Sequence, residues 1–258
     1  IKNKTKSIEN KKGNLLNQGN LTNKSNLTNR GNLIHKELAV FIHLYNYDLW
    51  EEFQKYLVNL GQVIHTFDIY VNIVVDSKKK TNDIIRIKAN IRNSNLGDKI
   101  FITQSDNKGL DIGGFIKSYL EMLSMNRSYD SIIKIHTKTN KNWRFVMLYS
   151  LLGTLPIIKH NLNLIKQKNI GMIGYQIKEL DYRSNSKVKS FLINYQRIFK
   201  ARSYTGQFIP GTIFWIKGSV LQKFFTFSIL ENCYREFQND YCGSTERKIE
   251  GLPHAFER

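Results

Sequence analysis

The sequence is poor in cysteine. Cys233 and Cys242 are the only two in 258 residues. Two cysteines are too few for a disulfide framework, and no Cys-x-x-Cys pair is present to hold zinc. A secretory signal peptide is not visible either, so we expect a reducing, cytoplasmic compartment.

Long apolar runs are also missing. The longest, "MLYSLLGTLPII" at 147–158, is far shorter than the ~18 residues that indicate a membrane span. We therefore predict a protein that does not cross a membrane. Peripheral association with a membrane surface stays open.

Acidic residues are scarce relative to basic ones. The chain has 39 Lys and Arg against 21 Asp and Glu, a formal net charge of +18. Residues 1–36 hold eight Lys or Arg and one Glu, which gives +7 and leaves +11 for the rest. This excess favours anionic partners such as nucleotides, nucleic acid or an acidic membrane surface. A solvated basic surface is the plain alternative.

The first 36 residues differ in composition from the rest. A degenerate six-residue repeat runs through "GNLLNQ", "GNLTNK", "SNLTNR" and "GNLIHK". Each copy carries few apolar side chains, so the repeat cannot bury a core alone. We interpret 1–36 as a basic, Asn-rich tail and 37–258 as one domain.

From Leu38 onward, apolar strand patterns alternate with helical ones. The predicted strands are 38–45, 67–75, 99–104, 131–137, 170–177 and 208–217, and the predicted helices are 48–60, 82–91, 111–125, 143–152 and 156–167. Such alternation is typical of βαβ units. It predicts an α/β fold with a Rossmann-type, mostly parallel sheet flanked by helices.

Polar residues follow each of the first four strands. They are His43 and Tyr45, then Asp76, then "SDNKGLDIGG" at 105–114, and finally His136, Thr137 and Lys138. The carboxyl ends of parallel strands meet at one edge, where ligands bind. The four endings together predict a crevice, although His43 taken alone is more typical of a core or supporting histidine.

The stretch "NKGLDIGG" at 107–114 reads as a loop that enters a helix. Gly109 would permit an unusual backbone angle, and Gly113 and Gly114 would permit close approach of a ligand or of a neighbouring element. Asp111 could bind a ligand or simply cap the helix. The sequence leaves both interpretations open.

His136 and Lys138 are separated by one residue, so they would share a face of the fourth strand. An imidazole beside an ammonium suits a diphosphate. Magnesium prefers carboxylate ligands, and no Asp-x-Asp motif is present. We therefore predict no metal site here, although Mn²⁺ or Mg²⁺ held by Asp76 and Asp111 stays an alternative.

The apolar run "FIPGTIFWIK" at 208–217 is predicted to be a strand that carries Gly211 and Thr212. Trp215 or Phe214 could stack on a sugar ring, or could pack in the core. The terminal "IEGLPHAFER" concentrates polar side chains that could form a functional loop or an exposed end.

Taken in order, the motifs resemble the rhamnan-synthesis F family of glycosyltransferases. The matching pieces are "LAVFIHLYNYDLWEEF", "FDIYVNI", "NKGLDIGGF", "IIKIHTKTN", "WRFVMLYSLLG", "IGMIGY", "PGTIFWIK" and "GLPHAFER", spread over 38–258. Leu110 departs from the arginine that the family often has there. The resemblance implies a GT-A-like fold and transfer of a hexose, L-rhamnose among the options, from a nucleotide-diphosphate-sugar to a glycan or glycolipid hydroxyl, with inversion.

The resemblance also suggests roles for individual residues. Glu250 is the first choice for the catalytic base and Asp111 the second, unless Asp111 binds donor hydroxyls instead. The implied donor-binding residues are His43, Tyr45, Asp76, Asn107, Gly109, Asp111, His136, Lys138 and Arg144. The implied acceptor-binding or sugar-binding residues are Gly211, Thr212, Trp215, His254, Glu257 and Arg258.

Two other classes of function compete with this one. A basic α/β protein that binds nucleic acid would interleave aromatic and basic residues on one surface. Here the aromatic residues lie mostly in apolar runs, so we expect no nucleic-acid partner. A transferase-like domain that binds sugar without catalysis is the other alternative, and the sequence does not discriminate against it.

Overall fold

The computed structural model describes residues 33–76, 79–179 and 207–239. Its centre is a six-stranded sheet with the order β3-β2-β1-β4-β8-β5. The strands are β1 Ile34–Leu44, β2 Asp68–Val74, β3 Lys99–Ser105, β4 Arg127–His136, β5 Met172–Gly174 and β8 Phe214–Lys217. The first four are mutually parallel, and β8 runs antiparallel to both β4 and β5. This confirms the predicted α/β fold with a mostly parallel sheet.

A separate two-stranded antiparallel ribbon joins β6 Lys178–Glu179 to β7 Gln207–Phe208. The α-helices are α1 Trp50–Gly61, α2 Thr81–Arg92, α3 Leu110–Ser124, α4 Lys141–Leu152, α5 Leu155–Lys166, α6 Gly218–Phe224 and α7 Phe227–Asn239. A short 3₁₀ turn, Tyr47–Leu49, precedes α1.

Helices cover both faces of the sheet, and alternate strand residues point to each face. On one face Val40, Ile42 and Ile133 pack with α1, α2, α4 and α5. On the other face Phe41 and Ile132 pack with α3, α6 and α7. We call the latter the α3 face. Because both faces are covered, the strands read as continuous apolar runs, as parallel strands generally do.

The first four predicted strands and all five predicted helices are present, with ends shifted by a few residues. Two later strand predictions are wrong in extent. Of 170–177, only Met172–Gly174 joins the main sheet. The run 208–217 is interrupted by a turn, because Gly211 and Thr212 have φ of 84° and 50°, which an extended strand does not allow.

Strand β1 starts before the predicted domain boundary, at Ile34 rather than at Leu38. The sequence analysis missed this start because Lys36 and His35 are polar. Their polarity is satisfied locally, since Lys36 Nζ donates to Asp68 Oδ1 and His35 contacts Ser128 Oγ at 2.9 Å. Residues 34–36 therefore belong to the sheet rather than to the tail.

A buried charge network ties together the amino ends of β1, β2 and β4. The Asp68 side chain has no exposed surface and accepts hydrogen bonds from Lys36 (2.8 Å), Arg127 (2.7 Å) and the Tyr129 hydroxyl (2.6 Å). Lys36 also bridges to Asp98, in the loop before β3. Each buried charge thus has a partner, which is what makes its burial tolerable.

Among the described residues, no helix is both long and apolar enough to cross a membrane.

We predict that Asp68→Ala destabilises the fold by about 3–5 kcal/mol, because it leaves the buried Arg127 guanidinium without its carboxylate. The matched control is Asp83→Ala. That change breaks the exposed Asp83–Arg86 pair on α2 and should cost less than about 1 kcal/mol. Urea unfolding of both variants measures the difference. Equal midpoints for the two would show that the Asp68 network contributes little.

Candidate functional site

The sheet has one topological switch point on its carboxyl edge, between β1 and β4. From β1 the chain proceeds outward through β2 to β3, and then returns to place β4 on the other side of β1. His43 of β1 pairs with His136 of β4, and Thr137 N–H donates to the His43 carbonyl at 3.0 Å. Open α/β sheets bind ligands at such points.

The loop into α3 depends on its glycines. Gly109 is the N-cap residue and has φ of 68°, in the left-handed region that favours glycine. A Cβ at Gly113 would lie 2.1 Å from the Lys108 carbonyl oxygen, and one at Gly114 would lie 2.0 Å from His43 Nδ1. The two inner glycines thus admit neighbouring parts of the protein, so the close approach predicted for them is structural.

Asp111 lies in the first turn of α3, and its carboxylate does not cap the helix. Asp111 Oδ2 instead accepts hydrogen bonds from Lys134 Nζ, at 2.5 Å, and from the Thr212 hydroxyl. The side chain of Lys134 is 1% exposed and that of Asp111 is 18% exposed. A buried ion pair therefore stands on the α3 face, next to the switch point.

The turn that contains Gly211 and Thr212 is fastened to the same group. Lys134 Nζ also donates to the Thr212 carbonyl at 2.9 Å, and His136 Nε2 lies 2.7 Å from the Gly211 carbonyl. Positive φ is unusual for a β-branched residue such as Thr212, and it persists only where surrounding contacts impose it. These hydrogen bonds are the contacts that impose it.

His43 belongs to a buried chain of polar side chains that crosses the sheet under α3. Its Nδ1–H donates to Asn72 Oδ1 at 2.9 Å, and Asn72 Nδ2 donates to Thr103 Oγ1 at 3.1 Å. Thr103 in turn contacts Ser118 Oγ of α3 at 2.9 Å. The chain fixes the orientation of the His43 ring, which matches the supporting role that an apolar strand suggested for it.

Both strand-end histidines are held neutral. Burial lowers the pKa of His43 to about 4, although the nearby Asp111 opposes the shift. Burial likewise lowers the pKa of His136 to about 4, again against the attraction of Asp111. At neutral pH the His136 ring therefore carries no positive charge of its own, and its part in binding a diphosphate stays a prediction.

The pKa of Asp111 is shifted in the direction opposite to the usual effect of burial. Burial alone would raise the pKa of Asp111, but the neighbouring His136 and Lys134 and the hydrogen bonds from Lys134 and Thr212 outweigh it. The pKa of Asp111 therefore lies well below its ordinary value. At neutral pH the group is a fixed carboxylate.

Lys138 lies beyond the end of β4, so the prediction that it shares a strand face with His136 is wrong. Its ammonium is 3.8 Å from the centroid of the Trp143 ring, at the start of α4. Arg144 is buried and donates from Nε and Nη2 to the Glu52 carboxylate at 3.0 and 2.8 Å. Its charge is thus matched by Glu52, a contact that motif order alone could not reveal.

The remaining predicted donor residues lie around the same edge. Tyr45 N–H donates to Thr137 Oγ1 at 3.0 Å, which places Tyr45 beside the switch point. Lys79 Nζ lies 4.6 Å from the Tyr45 ring centroid and 4.7 Å from that of Tyr47. Asp76 follows β2, and Asn107 lies in the loop before α3, so both belong to this edge of the sheet.

The structure corrects one predicted sugar contact. Trp215 is 0% exposed and packs in the core with Ile133 and Met147, so it is not available to stack on a sugar. Glu250, His254, Glu257 and Arg258 lie outside the described residues. Their predicted roles stay predictions.

Sequence reasoning missed Lys134 and Asn72. Each lies inside an apolar strand and points to the α3 face with the two histidines. A signal was available, because a lysine within "SIIKIH" is a charge on a strand buried on both sides, and such a charge needs a partner. What the sequence could not show was that the partner is Asp111, 23 residues earlier.

A cavity of about 720 Å³ lies at the opposite, amino edge of the sheet, between His35, Asp130, Lys166 and Ser219. The side chains of His35, Asp130 and Lys166 are more than half exposed, and buried Arg127 is already paired with Asp68. Its size alone does not make it the better site. Buried, converging polar groups and the switch point favour the carboxyl edge.

Within the described ranges, no group of three or more His, Cys, Asp or Glu side chains is placed to hold a metal ion.

Comparison with known protein families gives a match. The family model described as "Rhamnan synthesis protein F" matches residues 1–173, about two thirds of the chain. The match includes β1 to β4 and the Asp111–Lys134 pair, and it also covers the N-terminal tail, for which the sequence motifs had no counterpart. No curated protein matches the chain.

The histidine pKa values predict a pH-dependent stability. Between pH 6.5 and about 4 the unfolded chain protonates His43 and His136 while the folded protein does not, so the free energy of unfolding should decrease as the pH falls through this window. At pH 5 the loss should be on the order of 2 kcal/mol per histidine.

Urea unfolding at pH 7 and pH 5 measures this loss, and His43→Gln should reduce it. Stability that is unchanged between the two pH values would contradict the assignment of both histidines as neutral.

Proposed function

Because the chain belongs to the rhamnan synthesis protein F family, we propose that it is a glycosyltransferase with a GT-A-like fold. It transfers a hexose, L-rhamnose first among the options, from a nucleotide-diphosphate-sugar to a hydroxyl of a glycan or glycolipid. Transfer inverts the anomeric centre. The protein acts in the cytoplasm, where a basic surface would also allow contact with a membrane that carries the acceptor.

The observation that carries this proposal is the arrangement at the β1–β4 switch point. A fixed carboxylate, Asp111, stands there beside two neutral histidines and a backbone turn held in place. Sugars are recognised through hydroxyl groups, which donate well to carboxylates. A preorganised carboxylate at the ligand-binding edge of an α/β sheet suits a donor sugar.

The geometry favours one of the two roles considered for Asp111. A general base works best when its pKa lies near the operating pH. The pKa of Asp111 lies below its ordinary value, which makes the group a poor base and a good hydrogen-bond acceptor. We therefore assign Asp111 to donor hydroxyl binding, and Glu250 stays the proposed base that deprotonates the acceptor.

The leaving diphosphate needs positive charge. His136 is neutral and Lys134 is neutralised by Asp111, so neither supplies it. Lys138 stands just beyond the carboxyl end of β4, and Lys79 stands beyond β2, next to Tyr45. We propose that Lys138 is the principal cation in place of a carboxylate-held Mn²⁺ or Mg²⁺, with Lys79 contributing.

The proposed activity predicts that a nucleotide-sugar stabilises the protein and is consumed. The full chain is heated with a panel of dTDP-, UDP- and GDP-sugars, dTDP-L-rhamnose included, and release of the nucleotide diphosphate is followed with a glycan acceptor. A ligand at 100 times its dissociation constant should stabilise by about 2.7 kcal/mol. Duplex DNA at physiological salt is the comparison ligand.

Three results separate the alternatives. Binding without turnover would favour a sugar-binding domain that is not catalytic. Tight, sequence-selective DNA binding would favour the nucleic-acid alternative. Absence of binding by every sugar nucleotide would refute the proposed function.

Lys138→Ala should lower turnover on the order of 10²–10³-fold, the usual cost of losing a preorganised charge that stabilises the transition state. The matched control is Lys166→Ala, which removes a largely exposed lysine near the amino edge and should leave turnover unchanged. The wild-type enzyme should stay active in EDTA. Complete loss of activity in EDTA with recovery in Mn²⁺ would show that a metal performs this task.

A further inference from the structure

Lys134 is the most deeply buried cation in the described part of the chain. It lies two residues before the carboxyl end of β4, between Phe41 of β1 and Phe214 of β8 in the sheet register. Its side chain is 1% exposed. An ammonium at such a position is costly unless its hydrogen bonds and its charge are matched.

Its partners account for the burial. The ammonium donates to Asp111 Oδ2 at 2.5 Å and to the Thr212 carbonyl at 2.9 Å. It also lies 5.9 and 5.8 Å from the ring centroids of Phe115 and Phe214. Lys134 is therefore held by α3, by β8 and by the turn before β8, and it cannot swing out to meet a ligand.

The pairing occupies only one of the two oxygens of the Asp111 carboxylate. Its Oδ2 atom takes both hydrogen bonds, from Lys134 and from the Thr212 hydroxyl. Its Oδ1 atom has no hydrogen bond to any of the described residues, while the side chain keeps 18% of its surface exposed. One oxygen of the group is thus locked inward, and the other remains able to accept.

We propose that Lys134 is a positioning residue that locks Asp111 so that Oδ1 accepts a hydrogen bond from one hydroxyl of the donor sugar. The inference rests on the proposed function. It also defines a substrate class. Neutral, hydroxylated sugars fit this acceptor, whereas a sugar that carries its own carboxylate would be repelled by Asp111.

A purely structural role is the competing explanation, since Lys134 also holds the turn through the Thr212 carbonyl. The two explanations predict different coupling between Lys134 and Asp111 in their effects on donor affinity. If Lys134 acts on the sugar through Asp111, its removal matters only while Asp111 is a carboxylate. If it acts only through the turn, its removal costs the same in any background.

The test is a double-mutant cycle on donor affinity with Lys134→Met, Asp111→Asn and the double variant. Methionine keeps the stem that packs between Phe115 and Phe214 while it removes the charge. The titration ligand is dTDP-L-rhamnose, or the panel member that binds the wild type most tightly. Each single variant should weaken binding about 10- to 100-fold, the usual range for a hydrogen bond to a charged group.

The double variant should bind about as weakly as Asp111→Asn alone, within roughly threefold. If the double variant instead shows the product of the two single-variant losses in donor affinity, the proposal is overturned and Lys134 is a structural residue. Failure of the wild type to bind any nucleotide-sugar is a different result, because it refutes the proposed function itself.

Deoxy analogues of the donor test the same proposal by changing the ligand instead of the protein. Among the 2-, 3- and 4-deoxy analogues, one should bind the wild type about 10- to 100-fold more weakly than the parent and should lose nothing further in Asp111→Asn. If every analogue loses affinity equally in both proteins, no hydroxyl is read by Asp111.

If Lys134→Met does not fold, the wild type and Asp111→Asn still decide the matter. The titratable groups that face Asp111 are Lys134 and His136 on β4 and His43 on β1. With Lys134 in place the carboxylate stays ionised below the ordinary aspartate pKa of 3.8, so donor affinity should show no carboxylate titration between pH 5 and about pH 3. A step in this range that is absent from Asp111→Asn would overturn the proposal.

Discussion

A buried ammonium is the constraint from which the site follows. Lys134 has almost no contact with water, so the fold must bring a carboxylate to it. Asp111 can reach it only because α3 begins close above the sheet, and Thr212 can add its carbonyl only because the turn before β8 bends back. The helix start, the strand and the turn are positioned by one charge.

Close packing of α3 on the sheet is the second requirement. Gly114 faces His43 and Asn72 at a distance where a Cβ would overlap both. The helix can therefore lie low enough for Asp111 to meet Lys134, while the polar chain from His43 to Ser118 satisfies the groups that it covers. Each polar side chain of this chain from His43 to Ser118 has a hydrogen-bond partner, which keeps a buried polar network from weakening the fold.

The sequence was sufficient for the elements that local patterns determine. The strands from β1 to β4 and the helices from α1 to α5 carry clear apolar periodicity, and their order implied a parallel sheet with one polar edge. The pattern failed where long-range contacts override it. Thr212 interrupts an apolar run because Lys134 and His136 hold its turn, and Lys138 leaves the strand face because β4 ends at His136.

The same limit applies to the chemistry of the site. Residue types alone placed an imidazole beside an ammonium, but they could not show that burial lowers the pKa of His136. They suggested a sugar-stacking Trp215, but the alternation of β8 turns it into the core. The resemblance implies donor binding by Arg144, and the structure adds that Glu52 of α1 accepts two hydrogen bonds from it. In each case the deciding factor is the packing of the folded chain, which residue types alone do not show.

Under the proposed transferase function, the charges at the switch point assign sugar and diphosphate binding to two groups of residues. The pair of Lys134 and Asp111 cancels, and His43 and His136 add nothing at neutral pH, so this cluster is nearly neutral as a whole. A neutral cluster with one available carboxylate oxygen suits a sugar, but it cannot offset the negative charge of a diphosphate. Positive charge has to come from outside it, and Lys138 and Lys79, beyond the ends of β4 and β2, stand where the sugar and the diphosphate could be bound separately.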